Sequence, residues 1–281
     1  MKLYSINTGF FKLDGGAMFG VVPKVIWNKL IPSDDNNLCN WALRCLLVED
    51  GNRLILIDNG IGDKQNESFF KHYYLSGDDT LEKSLNKYGF TCNDITDMFL
   101  SHLHFDHCGG SIKWNENRTG YEPTFKNATY WSNARHWDWA TKPNSREKAS
   151  FLKENIIPIQ ESGRLKFIPD GEELFPGFRV KYVSGHTDAM MLPHISYNGR
   201  TIVFVADLLP STAHIPIPFV MGYDTRPLIT MEEKEIFLNN AVENDFILFF
   251  EHDPFNECCT LQKTEKGVRV KETFLLENLF N

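Results

Sequence analysis

The chain contains no stretch of about 18 consecutive apolar residues, the minimum for a membrane-spanning helix. Its N-terminus, Met-Lys-Leu-Tyr-Ser-Ile-Asn, lacks the long apolar region of a secretory signal. Sequence reasoning therefore expects no membrane partner, and a cytoplasmic location follows by default. Positive charge is also in short supply: 29 Lys and Arg stand against 37 Asp and Glu, for a net charge of −8. The cations are scattered rather than gathered into a stripe, which argues against a nucleic-acid partner. The six cysteines, Cys39, Cys45, Cys92, Cys108, Cys258 and Cys259, form no Cys-x-x-Cys pair and no framework spacing, so reduced thiols are expected. Repeats and low-complexity segments are missing as well.

What remains reads as an enzyme-sized globular chain. With 281 residues and 42% hydrophobic content it can bury a sizeable core, and residues 1–281 are expected to form a single domain. Two strands, 42–49 and 53–58, flank Asp50-Gly51-Asn52, a strong hairpin signal. Asp79-Thr80-Leu81-Glu82 opens a capped helix that stops before Gly89. Further helices are expected over 132–141, 145–155 and 230–243. Strands in two groups with helices between them suit an α/β (α+β) arrangement of packed sheets and helices.

Residues 101–110 read Ser-His-Leu-His-Phe-Asp-His-Cys-Gly-Gly, placing His102, His104, Asp106 and His107 within six positions after an apolar run. Imidazole and carboxylate suit divalent zinc, iron or manganese, and one short loop cannot aim all four side chains at one ion, so two ions are the natural reading. Matching donors follow other apolar runs. Residues 180–183 lead to His186, 202–206 to Asp207, and 246–250 to Glu251-His252-Asp253. Four strands thus deliver ligands at their C-terminal ends, where functional loops are displayed.

The pattern His-x-His-x-Asp-His, followed by a single His, Asp and His, resembles the metallo-β-lactamase-fold hydrolase superfamily over most of the chain, from the Leu-Ile-Leu-Ile-Asp segment ending at Asp58 to His252. The resemblance implies an αββα sandwich. It assigns His102, His104 and His186 to one metal, Asp106, His107 and His252 to a second, and Asp207 to both. Zinc is the default for the two divalent ions, with iron, cobalt and manganese as alternatives. Such a pair lowers the pKa of a shared water from about 15.7 to roughly 7, so hydroxide rather than a side chain is the expected nucleophile. Asp58 is read either as support for a ligand histidine or the motif loop, or as a strand cap.

Class B β-lactamases commonly place another residue where Asp207 stands, and flavodiiron reductases carry Glu at the position of His104. Both activities are disfavoured. The segment Asp14-Gly15-Gly16-Ala17-Met18-Phe19-Gly20-Val21-Val22-Pro23-Lys24 resembles the branch containing N-acyl homoserine lactone lactonases and methyl parathion hydrolase. It is read as a loop approaching an acyl or aryl group, a loop tucked on the core, or a dimer contact. The resemblance suggests a homodimer. The expected activity is opening of the lactone ring of N-acyl homoserine lactones, hence quorum quenching, with a small substrate bearing an apolar acyl or aryl group. Alternatives are a phosphotriesterase or arylesterase, a glyoxalase II-like thioesterase, and a mononuclear-iron persulfide dioxygenase. Pro210 occupies the place of the tyrosine that assists catalysis in well-known lactonases, so Tyr223 and His214 are the candidates to replace it. For His214, substrate contact and loop packing both stay open. The 208–227 segment, with four prolines among apolar residues, is expected to wall the pocket. The tail from Lys263 to Asn281 reads partly as strand.

Overall fold

The computed structural model describes residues 1–280. It divides into two compact units. The first comprises Met1–Gly9, Leu43–His72 and Ser76–Asp170; the second comprises Phe10–Ala42, Tyr73–Leu75 and Gly171–Asn281, of which Asn281 lies outside the described residues.

A six-stranded sheet runs in the order β1 (Lys2–Asp14), β2 (Leu38–Asp50), β3 (Arg53–Ile57), β4 (Asp97–Phe99), β7 (Thr129–Ser132) and β8 (Leu165–Phe167). Between β4 and β7 the chain forms a small hairpin of β5 (Ile112–Trp114) and β6 (Tyr121–Pro123). The expected hairpin is present: Asp50 pairs with Arg53 across Gly51-Asn52, and Gly51 takes φ of 57°, which a two-residue hairpin turn requires. Strands β3, β4, β7 and β8 pair in parallel. All three residues of β4 are buried, as expected of a central parallel strand. The first unit's core gathers Ile6, Leu56, Met98, Leu100, Leu103 and Tyr130 with other buried residues.

The second unit is built on a seven-stranded sheet. Its order is β15 (Gly267–Phe274), β14 (Cys258–Thr264), β13 (Ile247–Phe249), β12 (Arg200–Phe204), β11 (Met190–Tyr197), β10 (Phe178–Val183) and β9 (Glu173–Phe175). Only β12 and β13 pair in parallel. Residues 178 to 181 of β10 alternate buried and exposed, the signature of a strand with one face on the core. The strand reading of the tail holds in β14 and β15.

The helix expected near Thr80 forms over Leu81–Lys87, with the Thr80 hydroxyl accepting from the Lys83 amide at 3.2 Å. The late helix starts earlier than expected, at Pro227, and runs to Glu243; proline suits the first helical turn because its missing N–H would have no partner there. Ser132 belongs to β7, and the next helix is Ala134–Thr141, capped by Asn133. The helix expected over 145–155 does not form; the helix is Lys153–Glu161. Local side-chain bonds take the place of helical ones. Asn144 Oδ1 accepts from the amides of Arg146 (2.8 Å) and Glu147 (3.1 Å), an arrangement that competes with helix formation.

No helix among the described residues is long and apolar enough to cross a membrane.

Candidate metal centre

In the first unit the motif follows β4 and enters a single helical turn, Phe105–Cys108. All four candidate donors, His102, His104, Asp106 and His107, are buried. His102 Nε2 and His104 Nδ1 face each other at 3.1 Å. His107 Nε2 lies 3.8 Å from Asp106 Oδ2.

The outer nitrogens decide which lone pairs are free. Asp58, fully buried, accepts from the Ser101 amide (2.7 Å) and the Ser101 hydroxyl (2.5 Å), and it faces His107 Nδ1 at 3.1 Å. The Ser101 oxygen lies 3.0 Å from His102 Nδ1; because the hydroxyl donates to Asp58, that nitrogen must carry the proton. His104 Nε2 lies 3.4 Å from Glu147 Oε1. Glu147 is itself held by the Trp139 indole (2.7 Å) and the Asn144 amide (2.6 Å). Each imidazole thus keeps one nitrogen toward a protein acceptor and turns the other inward, the arrangement that fixes a metal ligand's tautomer.

Asp58 therefore supports His107 and the motif loop. It adopts φ of 56°, a left-handed conformation that costs on the order of 1–2 kcal/mol and is held by these bonds. His136 is buried, and its Nε2 accepts the Leu103 amide at 2.9 Å, which pins the middle of the motif. Gly109 closes the motif because a Cβ there would stand 2.1 Å from the Ile61 carbonyl oxygen. Cys108 is a buried spacer. Its thiol donates to the Leu103 carbonyl at 3.3 Å, and burial pushes its pKa up to about 12, far from a reactive thiolate.

The second unit contributes His186 after β10, Asp207 after β12 and His252 after β13, all buried. Asp207 turns its two oxygens to different imidazoles: Oδ2 lies 3.2 Å from His186 Nε2, and Oδ1 lies 3.4 Å from His252 Nε2. The Nδ1 atoms are engaged on the far side, His186 with Asp224 Oδ1 at 2.9 Å and His252 with the Ala42 carbonyl at 2.8 Å. A carbonyl can only accept, so His252 Nδ1 carries the proton and its Nε2 presents a lone pair to a carboxylate. Lone pairs at that separation repel unless a cation lies between them, so this donor set fits divalent metal ions. Ala206, next to Asp207, has φ of 40° and is fully buried.

Sequence reasoning missed Glu147, Asp224 and Glu233. Glu233 accepts the amides of Ser184 (2.6 Å) and Gly185 (2.9 Å), fixing the turn that carries His186. Burial outweighs those donors and raises its carboxyl pKa. No pattern in the neighbouring sequence marks any of the three.

His214 is fully buried. Its Nε2 donates to the Met18 carbonyl at 2.9 Å, Nδ1 accepts from the Ser211 hydroxyl at 2.8 Å, and Phe19 stacks on the ring at 4.6 Å. With both nitrogens engaged, His214 ties its loop to the N-terminal segment and has no donor left for a substrate. Of the two readings left open for His214, these contacts favour loop packing. The N-terminal segment is tucked on its unit at Met18 and Phe19 but leaves Val21 90% exposed. Tyr223 is 40% exposed and directly precedes Asp224.

Residues 44–252 match the family model of the metallo-beta-lactamase superfamily. The chain belongs to the metallo-β-lactamase superfamily. The α/β class expected from the sequence is thereby the metallo-β-lactamase fold, and the protein is a metal-dependent hydrolase. Among superfamily relatives, it is 24% identical to the N-acyl homoserine lactonase AiiA of Bacillus thuringiensis subsp. kurstaki over 266 residues, covering 90% of this chain and 93% of that one. Among solved structures it is similar to a probable metal-dependent hydrolase from Staphylococcus aureus (27% identity, TM-score 0.89, 98% and 97% of the chains). It is also similar to AidC, a dizinc quorum-quenching lactonase solved with the product N-hexanoyl-L-homoserine (25%, TM-score 0.78, 97% and 95%).

Proposed function

We propose that this hydrolase carries two divalent metal ions, zinc by default, and opens the lactone ring of N-acyl homoserine lactones. The observation behind the two-ion reading is Asp207, whose oxygens address His186 and His252 separately. A neutral imidazole in its place, with one free lone pair, could not bridge. In this reading His102, His104 and His186 hold one ion, Asp106, His107 and His252 hold the other, and both units work as one hydrolase domain. Similarity to homoserine lactonases along 90% or more of the chain supports the substrate class.

When bound, the ions polarise an ester carbonyl and bring the pKa of a water from about 15.7 to roughly 7. The chain's own residues orient that chemistry. Asp58, Glu147, Asp224 and the Ala42 carbonyl hold the ligand tautomers. Tyr223, half exposed beside Asp224, donates a hydrogen bond to the substrate carbonyl or to the leaving ring oxygen, the role left vacant by Pro210. Val21 offers apolar contact to the acyl tail.

Ring opening yields a carboxylic acid that ionises, so proton release measures it. Metal-replete protein is mixed with N-hexanoyl and N-decanoyl homoserine lactone, with Asp207→Ala as the blank. Acid production that requires Asp207 is the expected result. Its absence with both chain lengths overturns the lactone assignment and moves the search to phosphotriesters, aryl esters and thioesters. Fewer than two metal equivalents after zinc resupply overturns the dinuclear reading.

A further inference from the structure

Lys234 lies in the middle of the helix Pro227–Glu243 and is fully buried, a rare position for lysine. Its ammonium donates to three backbone carbonyls of a single loop: Pro216 (2.9 Å), Ile217 (3.2 Å) and Phe219 (2.8 Å). Three acceptors match the three N–H bonds that only the charged form offers. The loop needs such a donor. Pro216 and Pro218 have no N–H and the segment is neither helix nor strand there, so it holds few backbone donors of its own: the Phe219 amide reaches the Pro216 carbonyl (2.9 Å) and the Val220 amide that of Pro218 (3.1 Å).

The same loop carries the second unit's metal chemistry at its two ends. Asp207 precedes it, and Asp224, the partner of His186, stands near its close. Elsewhere the loop is tied down by Asp253 accepting the Thr212 amide (2.8 Å) and hydroxyl (2.6 Å). It is tied to the N-terminal segment through His214 on the Met18 carbonyl and the Gly222 amide on the Ala17 carbonyl (2.8 Å). Between these anchors, residues 216 to 219 are held from the helix side by Lys234.

We propose that Lys234 is the positioning residue of the 208–226 segment: its caged ammonium holds the loop in the conformation in which Asp207 and Asp224 both meet His186. The link to catalysis rests on the metal-centre reading above. The cage itself does not.

The test compares wild type with Lys234→Met, which keeps length without charge, and Lys234→Ala, which opens the cage. Three readouts are used: amide hydrogen exchange over 216–224, the visible absorption of the cobalt-substituted protein, and turnover. Lys234→Met is expected to raise exchange in that segment at least tenfold, to change the cobalt bands, and to lower kcat about tenfold or more with KM changed less. In Lys234→Ala, propylammonium chloride should recover turnover several-fold, whereas tetramethylammonium chloride at equal strength should not, because it has no N–H to donate.

Wild-type exchange, cobalt bands and kcat in Lys234→Met overturn the proposal. Should both variants fail to fold, the wild-type protein decides. One lysine Nζ–H resonance must persist in water and show coupling across hydrogen bonds to the carbonyl carbons of residues 216, 217 and 219; its absence overturns the cage. If lactones are not hydrolysed but cobalt bands respond to Lys234→Met, the clamp stands and only the substrate assignment falls. If wild type binds no cobalt, the metal reading falls and hydrogen exchange alone decides the clamp.

Discussion

Removing the Asp224 carboxylate isolates the contribution of a residue that touches a proposed ligand histidine from its far side. Asp224 Oδ1 and His186 Nδ1 are 2.9 Å apart, and both side chains are almost fully buried. A charge-assisted hydrogen bond of this kind contributes about 1.5–3 kcal/mol, which corresponds to roughly 10- to 100-fold in metal affinity. Asp224→Ala should therefore weaken zinc binding at the His186 side by about that factor. Asp224→Asn keeps an acceptor oxygen but loses the charge, so its loss should be smaller, on the order of tenfold or less. Burial pulls the Lys234 ammonium down to about 7, and the negative charge of Asp224 works against that lowering. The Ala variant should therefore loosen the 216–219 loop as well. Zinc affinity is measured by competition with a chelator of known affinity, on protein whose metal-free melting temperature is checked first. An Asp224→Ala affinity within about twofold of wild type would refute the claim that this bond orients a metal ligand.

Three further outcomes follow from the same geometry. Gly109→Ala forces a Cβ to 2.1 Å from the Ile61 carbonyl oxygen, so it should cost on the order of 3 kcal/mol, or about 10 °C in thermal melting; an unchanged melting temperature would mean the backbone there yields freely. Burial holds His214 down to about 4 from an ordinary 6.5. The unfolded chain takes up that proton first, so the associated stability is present above about pH 6.5 and is lost as pH falls toward 4. Between pH 7 and 5 urea melts should lose about 2 kcal/mol from this group, and a folded His214→Gln variant should lose correspondingly less over the same range. Chelator-stripped protein should melt lower by an amount set by metal affinity, about 4 kcal/mol of stability at a thousandfold excess over Kd, and should hydrolyse nothing until zinc is restored; retained hydrolysis after verified stripping contradicts a metal-dependent reaction.

Residues close together in the chain were the ones legible in advance. The motif from His102 to His107 declares itself because its donors fall within six positions, and Asp207 and His252 stand at the ends of apolar strands that the residue pattern marks. The hairpin at Gly51 and the helix capped by Thr80 are equally local, since a turn and a cap depend on a few neighbouring residues. The missing helix over 145–155 shows where such reasoning stops. Asn144 and Glu147 there serve the local backbone, the Trp139 indole and His104 rather than a helix.

The sequence by itself determined the candidate donor set, the α/β class, the family resemblance and the chemistry such donors favour, because residue type and strand-end position are written residue by residue. Only the tertiary structure decided which nitrogen of each histidine faces inward, that His214 belongs to packing, and that a buried lysine cages a proline-rich loop. Those facts depend on partners far away in the chain, 38 residues apart for His186 and Asp224 and 33 for Leu103 and His136. Such pairs leave no periodicity or spacing in the sequence; they exist only once the strands have set their loops side by side.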